Sequence, residues 1–132
     1  MRFTAREQTG LRAMIALART FGQGPTALST IAQSQDLSLS YLEQIAGTLR
    51  RAGLLGSVRG ARGGYYLTRD PAEVSVSDVL SALEGQLVSL ECLNPGGSGC
   101  DRESSCDVRG VWLRVQNCLD RTLSEMMLAD VM

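Results

Sequence analysis

The stretch from residue 38 to residue 68 constrains the fold of this chain more than any other part of its sequence. Between about residues 38 and 52, polar side chains form one stripe and apolar side chains recur on the other, at Leu42, Ile45, Ala46 and Leu49. Residues 54–59 and 65–68 then have the pattern of two short strands, and the turn between them holds three glycines. This order predicts a helix with a polar outer face, followed directly by a β-hairpin.

Two further helices are predicted before this stretch. The first, 9–21, ends at the glycine-rich break 22–25, and its apolar side chains are Leu11, Met14, Ile15, Leu17, Ala18 and Phe21. The second helix has Thr26 as a candidate N-cap and is predicted to bury Leu28, Ile31 and Ala32. Residues 33–36 are predicted to form the turn that follows it. In the third helix, Ser40 and Glu43 have capping-box spacing. The whole pattern predicts a mainly α fold, a winged helix-turn-helix with a small β-hairpin wing.

The C-terminal half begins with a break at Asp70 and Pro71. Ser75 with Asp78 predicts the start of a fourth helix, 76–84, which Gly85 closes. The last segment, about 108–127, predicts a long amphipathic helix of near-heptad spacing, with an apolar face of Val108, Val111, Trp112, Val115, Cys118, Leu119 and Thr122.

Charge is divided unevenly between the two halves. The net charge is −1, yet residues 1–70 hold nine arginines and four acidic residues, whereas residues 71–132 hold four arginines and ten acidic residues. The N-terminal half is therefore predicted to face an anion such as nucleic acid. Every cation is an arginine, which can fork to a phosphate or a guanine edge, although genomic base composition explains the absence of lysine better.

The third helix and the hairpin carry the side chains that we expect to contact DNA. The N-terminal residues of a helix in the major groove reach base edges first, and here they are Ser38, Ser40, Tyr41, Glu43 and Gln44. At the far end of the helix, Arg50 and Arg51 suit contacts to phosphates. At the hairpin tip, Arg59 and Arg62 suit a narrow minor groove, whose negative potential attracts arginine. Two local interpretations stay open: Ser40 and Glu43 as a helix cap only, and Arg50 and Arg51 as a solvated helix end.

Cys92, Cys100 and Cys106 lie on a glycine-rich loop, and the chain has no histidine. Their spacing is wider than that of a zinc knuckle, and soft thiolates on such a loop suit an iron–sulfur cluster. Free thiols and a labile disulfide are the alternatives. The polar start lacks the apolar run of a signal peptide, and no stretch approaches a membrane span. We therefore expect a cytoplasmic protein without a membrane partner, and disulfides are rare in that compartment.

Four motifs, together with the cysteine loop, resemble the iron–sulfur-cluster regulators of the IscR type, in the Rrf family. The motifs are MRFT at 1–4, LSYLEQ at 39–44, LRRAGL at 49–54 and SVRGARGGY at 57–65, and the resemblance covers nearly the whole chain. It implies a homodimeric winged-helix transcription factor, usually a repressor, that dimerises through its long C-terminal helix, here 108–127. The chain then divides into a DNA-binding part, 1–70, and a part with the cluster loop and the dimerisation helix, 71–132.

The resemblance also carries over individual residues. Ser40, Tyr41, Glu43 and Gln44 on the recognition helix and Arg59 on the wing match the family's DNA-contacting motif, whereas Arg62 stands where a small residue is expected. The cluster would be bound by Cys92, Cys100 and Cys106, with a 2Fe–2S form favoured over 4Fe–4S. A dimer predicts a double-stranded operator that is roughly palindromic, with half-sites about one helical turn or a multiple apart.

The fourth cluster ligand is left open. IscR-type proteins place a histidine three residues after the third cysteine, and here that position is Arg109, which cannot lose its proton and ligate. Nitric-oxide-sensing relatives use an aspartate from the partner's N-terminal helix; Gln8 is the aligned position, and Glu7 beside it is a candidate by proximity. The local carboxylate candidates are Asp101, Glu103 and Asp107. Cys118 is disfavoured, because helix rise separates it from Cys106 by ~18 Å and it falls on the apolar stripe.

We therefore expect a sequence-specific DNA-binding regulator whose affinity is controlled by the cluster and which senses iron–sulfur, redox or nitric oxide status. One alternative is a DNA-binding regulator that responds through thiol oxidation without a cluster. Another, from a different class, is an iron–sulfur electron carrier or assembly protein, which leaves the wing unexplained. We do not expect an enzyme, since the sequence offers no histidine, no phosphate loop and no clear nucleophile–base pair.

Overall fold

The computed structural model describes residues 4–83 and 107–132. In chain order its elements are α1 (Ala5–Arg19), α2 (Leu28–Gln35), α3 (Leu39–Arg51), β1 (Leu55–Val58), β2 (Gly64–Leu67), a 3-10 turn (Pro71–Glu73), α4 (Val76–Leu83), α5 (Asp107–Glu125) and α6 (Leu128–Val131). This order confirms the predicted mainly α winged helix-turn-helix. Among the described residues, no helix combines the length and apolarity needed to cross a membrane.

Helix α1 begins earlier than predicted. The Thr4 hydroxyl accepts the backbone N–H of Glu7 at 3.2 Å and caps the helix, so the first turn forms from polar residues that carry no apolar periodicity. The helix ends at Arg19, and Phe21 lies beyond it with 42% of its surface exposed. The prediction that the helix extends to Phe21 and includes its side chain is therefore wrong.

Thr26 does not cap α2, contrary to the prediction. Its backbone pairs with Tyr65 in an isolated β-bridge, with two N–H···O bonds of 2.9 Å, and Ala27 takes the N-cap position without a side-chain bond. Thr26 thus extends the wing sheet by one residue. The predicted turn at 33–36 is also shorter than expected. The helix continues to Gln35, and its C-cap residue is Asp36, whose φ is 53°.

Helix α3 has the predicted buried stripe and a different cap. Ser38 is the N-cap and accepts the N–H of Tyr41 at 3.4 Å, whereas Ser40 lies inside the first turn. The predicted capping box of Ser40 and Glu43 is therefore wrong. The stripe is confirmed, with exposures of 0–1% at Leu42, Ile45, Ala46 and Leu49.

The wing is a two-stranded antiparallel hairpin in which Leu55 pairs with Leu67 and Val58 pairs with Gly64. Two of its glycines are required by close backbone approach. A Cβ at Gly63 would overlap the carbonyl of Val58, and a Cβ at Gly64 would overlap the carbonyl of Thr26. The buried ends of the strands, Leu55 and Leu67, fix the hairpin to the core with 2% and 3% of their surfaces exposed.

The two halves of the chain share one hydrophobic core. Ser75 and Asp78, which were predicted to start α4, form a capping box with reciprocal bonds of 3.0 Å. Gly85, predicted to close that helix, lies outside the described residues. At the C-terminus, Leu128 is fully buried and donates its N–H to the carbonyl of Val74 at 2.9 Å. The end of the chain therefore packs into the core around the N-terminal helices.

Helix α5 ends two residues before the predicted boundary at 127. Residues 126 and 127 lie outside the helix, because Met127 forms a β-bridge with Ser75 and the carbonyl of Met126 accepts the N–H of Val76 at 2.8 Å. Unlike α3, α5 leaves much of its apolar face uncovered by the residues that the structure describes, with exposures of 56% at Val108, 57% at Val111 and 39% at Trp112.

Candidate nucleic-acid interface

The first turns of α3 carry the side chains predicted to read bases. Tyr41 is half-buried, and four other predicted residues are exposed: Ser38, Ser40, Glu43 and Gln44. The helix beneath them is held by Leu42 and Leu49, both fully buried. Because the buried stripe fixes the helix on the core, these polar side chains project from a rigid support, as base recognition requires.

The wing lies beside α3 on the same surface. A groove of about 440 Å³ runs between the start of α2, the helix α3 and the wing, and its lining includes Ser29, Leu39, Glu43 and Gly63. Arg59 and Arg62 are exposed at the wing tip, where the N–H of Gly63 bonds to the carbonyl of Gly60 at 3.0 Å and closes the turn. The structure therefore brings the start of α3 next to the wing, whose tip carries the two arginines.

At the C-terminal end of α3, Arg50 and Arg51 are both exposed, and they differ in their contacts. Arg51 Nη2 donates to Thr48 Oγ1 at 3.3 Å, and Arg6 Nη2, from α1, donates to the same oxygen at 3.1 Å. Arg6 and Thr48 are absent from the residues that the sequence predicts for DNA contact. They are separated by 42 positions, so no local spacing could have paired them.

The predicted cluster ligands cannot be described as a group. Cys92, Cys100, Cys106, Asp101 and Glu103 lie outside the described residues, and no side-chain geometry is described for Asp107. Within the part of the chain that the structure describes, no three cysteine, aspartate or glutamate side chains come together in a way that could hold a metal ion.

Three other residues of the ligand argument are described. Arg109 is half-buried in the first turn of α5. Cys118 is an exposed free thiol on the same unbroken helix, about 16 Å of helix rise beyond its start. Glu7 is buried, with 2% of its surface exposed, on the first turn of α1. Three residues further along α1, a Cβ at Gly10 would overlap Leu83, the last residue described before the cysteine loop.

Comparison with known families gives one match that spans almost the whole chain. The model of the Rrf2 family, described as an iron-dependent transcriptional regulator, matches residues 3–132. The chain is similar to the HTH-type transcriptional regulator CymR of Bacillus subtilis, with 37% identity over 131 residues, covering 99% of this chain and 89% of CymR. It is also similar to the HTH-type transcriptional regulator IscR of Escherichia coli, with 34% identity over 131 residues, covering 99% of this chain and 80% of IscR.

Solved structures agree with these similarities. The structure of CymR, described as the global cysteine regulator of B. subtilis, superposes with a TM-score of 0.83 at 35% identity, covering 99% of this chain and 95% of that one. The structure of T. potens IscR superposes with a TM-score of 0.81 at 37% identity, covering 99% of this chain and 85% of that one.

Proposed function

The chain belongs to the Rrf2 family of transcriptional regulators, and we propose that it is a sequence-specific repressor whose DNA affinity is controlled by an iron–sulfur cluster on Cys92, Cys100 and Cys106. One observation carries the DNA-binding part of this proposal. The start of α3 and the wing, whose exposed tip carries the two arginines, line one groove, and a fully buried stripe of α3 holds that helix on the core. Such a face suits a helix in the major groove with a basic wing beside it.

The base-reading residues are Ser40, Glu43 and Gln44, because they are exposed on the first turns of α3. Serine and glutamine can bond to several bases, and glutamate can accept from the amino group of cytosine. Tyr41 and Ser38 lie at the edge of this group. The remaining contacts go to phosphates and to the minor groove, from Arg50, Arg51, Arg59 and Arg62.

The working form is a homodimer through α5. Val108, Val111 and Trp112 expose 56%, 57% and 39% of their surfaces in a single chain, and they follow the near-heptad stripe that a second copy of the helix can cover. A two-fold dimer presents two recognition helices to DNA, so the operator is a rough palindrome with half-sites about one helical turn or a multiple apart.

The donor set fits an iron–sulfur cluster. Cysteine thiolates are the preferred ligands of such centres, and the loop supplies three of them. A bound cluster would supply redox chemistry that protein side chains lack. Glu7 is the proposed fourth ligand: it is a carboxylate on the first turn of α1, and that helix packs through Gly10 against Leu83, the last residue described before the cysteine loop. The long helical separation of Cys118 from the start of α5 disfavours that thiol as a ligand in the same chain.

Regulation follows if the cluster-bound and cluster-free forms differ in their affinity for DNA. The test compares anaerobically reconstituted protein with the apo protein at one stated salt concentration, on an operator selected by the protein from a random duplex library. We expect a clear difference in affinity between the two forms. Equal affinities would overturn cluster control and leave DNA binding intact.

A second candidate is control by cysteine chemistry without a cluster. It is favoured by the 37% identity to CymR, whose solved structure is described as that of a cysteine regulator, and by the exposed thiol of Cys118. Iron and acid-labile sulfide counts after anaerobic purification separate the two candidates. We expect stoichiometric iron and sulfide, which disappear in Cys100→Ser and persist in Cys118→Ser.

A further inference from the structure

Two arginines from different helices contact one hydroxyl, that of Thr48, near the C-terminal end of α3. Arg6 Nη2, in the first turns of α1, donates to Thr48 Oγ1 at 3.1 Å, and Arg51 Nη2, in the last turn of α3, donates to the same oxygen at 3.3 Å. Both guanidinium groups therefore lie within one hydrogen-bond length of a common atom. Two guanidinium cations that meet at one atom concentrate positive charge there, and such a concentration attracts an anion.

The bonding of Thr48 explains how the pair is held. A threonine hydroxyl has one proton to donate and two lone pairs that accept. The proton goes to the backbone carbonyl of Gln44 at 3.2 Å, and the two guanidinium N–H groups occupy the acceptor side. Thr48 thus fixes both cations relative to α3. A guanidinium has five N–H donors, so this bond leaves Arg51 with further donors for a ligand.

The pair borders a groove of about 420 Å³ between α1 and α3, which is also lined by Tyr41, Glu43 and Gln44. Its charged lining residues are two arginines and one glutamate, so the groove has a net positive charge. Tyr41, also in the lining, is a residue type whose hydroxyl can add a neutral donor. These groups together suit an oxyanion such as phosphate.

The groove stands where a DNA backbone would pass if α3 reads the major groove. Thr48 lies about 12 Å of helix rise beyond Ser40, and the major groove is about 12 Å wide. When Ser40 is at the base edges, Thr48 and its two arginines are therefore at the wall of the groove, where the phosphates lie.

We propose that Arg6, Arg51 and Thr48 form a site for one phosphate group and that its occupant is a phosphate of the operator backbone. Arg6 thereby becomes a DNA-contacting residue outside the helix-turn-helix. This inference rests on the proposed DNA-binding function. Glu43 lowers the net charge of the groove, so a free phosphate ion binds it poorly, whereas a duplex docked on α3 delivers its phosphate at high local concentration.

The test measures how affinity depends on salt for two duplexes, the selected operator and an unrelated sequence. For Arg6→Ala we expect roughly tenfold weaker binding to both duplexes and a salt slope lower in magnitude by about 0.9, the loss of one phosphate contact. Arg6→Lys keeps the charge and is expected to retain the slope. Arg12→Ala is the matched control, because Arg12 is exposed on the same helix and does not line the groove.

The outcomes distinguish a failure of the proposed phosphate site from a failure of the proposed DNA-binding function. If the wild type binds neither duplex, both the proposed function and this site are overturned. If the wild type binds and Arg6→Ala has the slope of Arg12→Ala, the site alone is overturned, even where inorganic phosphate raises the unfolding temperature of the wild type. Circular dichroism checks that Arg6→Ala is folded. If it is not, the salt slope is compared between Arg6→Lys, which keeps the charge, and Thr48→Val, which removes the hydroxyl that both arginines contact.

Discussion

Helices α3 and α5 are both amphipathic, and they place their apolar stripes in opposite environments. On α3, Leu42, Ile45 and Leu49 have 0%, 1% and 0% of their surfaces exposed, because the core of the same chain covers them. On α5, Val108 and Val111 expose 56% and 57%. The same kind of sequence pattern thus has two structural outcomes in one chain.

The difference indicates what each helix has left to bind. Helix α3 uses its apolar face for folding and presents serine, glutamate, glutamine and arginine to the outside, so it suits a polar, charged partner. Helix α5 still has apolar surface to bury, so it suits an apolar partner of matching periodicity, such as a second copy of itself. Folding buries the apolar stripe of α3, and we propose that dimerisation buries the exposed part of the stripe of α5.

The largest expected effect tests the folding side of this comparison. Leu42→Ala removes a side chain that is fully buried, and we expect it to lower the free energy of unfolding by about 2–5 kcal/mol through lost apolar contacts and a cavity. Urea denaturation followed by circular dichroism measures the loss. The matched control is Leu119→Ala, which removes the same atoms from a half-buried position on α5. Equal losses, measured where the protein is monomeric, would remove the distinction between the two stripes.

The next prediction tests the association side. Val111→Glu places a carboxylate at the centre of the exposed stripe of α5, and we expect it to weaken the dimer by roughly 100-fold because the charge would be buried between the two copies. Sedimentation equilibrium measures the dimer dissociation constant. Ser124→Glu adds the same charge at an exposed position on the other side of the helix and should leave the constant unchanged. A dimer that survives Val111→Glu would show that another surface holds the copies together.

Features that depend on local sequence could be predicted well. The buried stripe of α3 and the capping box of Ser75 and Asp78 each involve residues within one or a few helical turns, where periodicity and spacing are direct signals. The apolar stripe of α5 was equally visible. Its exposure in a single chain was expected only from the family resemblance, because periodicity does not say which chain covers a stripe.

Features that depend on distant pairing could not be predicted. Thr26 has the composition of an N-cap, and its pairing with Tyr65 in the wing is decided by the hairpin 39 residues away in sequence. Helix α5 stops at Glu125 because Met127 pairs with Ser75, again across the fold. Arg6, on α1, donates a hydrogen bond to Thr48 on α3. The proposed base-reading residues, by contrast, all belong to one helix, so their position at its start was enough to predict them as a group.

A smaller effect is expected at the wing, the part of the polar face that does not belong to α3. Arg59→Ala removes a guanidinium from the exposed hairpin tip, and we expect roughly 10- to 100-fold weaker binding with a relaxed preference for operator over unrelated DNA. Fluorescence anisotropy with both duplexes at one salt concentration measures the change. Arg19→Ala, which removes an equal charge from the end of α1, is the control. If both variants lose the same affinity, the wing contributes general charge and no readout.

The smallest effect separates two serines at the start of α3 that look alike in sequence. Ser38 caps the helix by accepting the N–H of Tyr41 at 3.4 Å, whereas Ser40 is exposed inside the first turn and caps nothing. We expect Ser38→Ala to lower the free energy of unfolding by about 1 kcal/mol, because a backbone N–H loses its partner. Ser40→Ala should leave stability unchanged and reduce operator affinity, since alanine suits a helix interior and removes only a base contact. Thermal unfolding and anisotropy on both variants test the pair. If Ser40→Ala were the destabilising change, the cap would lie at Ser40 and the polar face of α3 would begin two residues later than the structure places it.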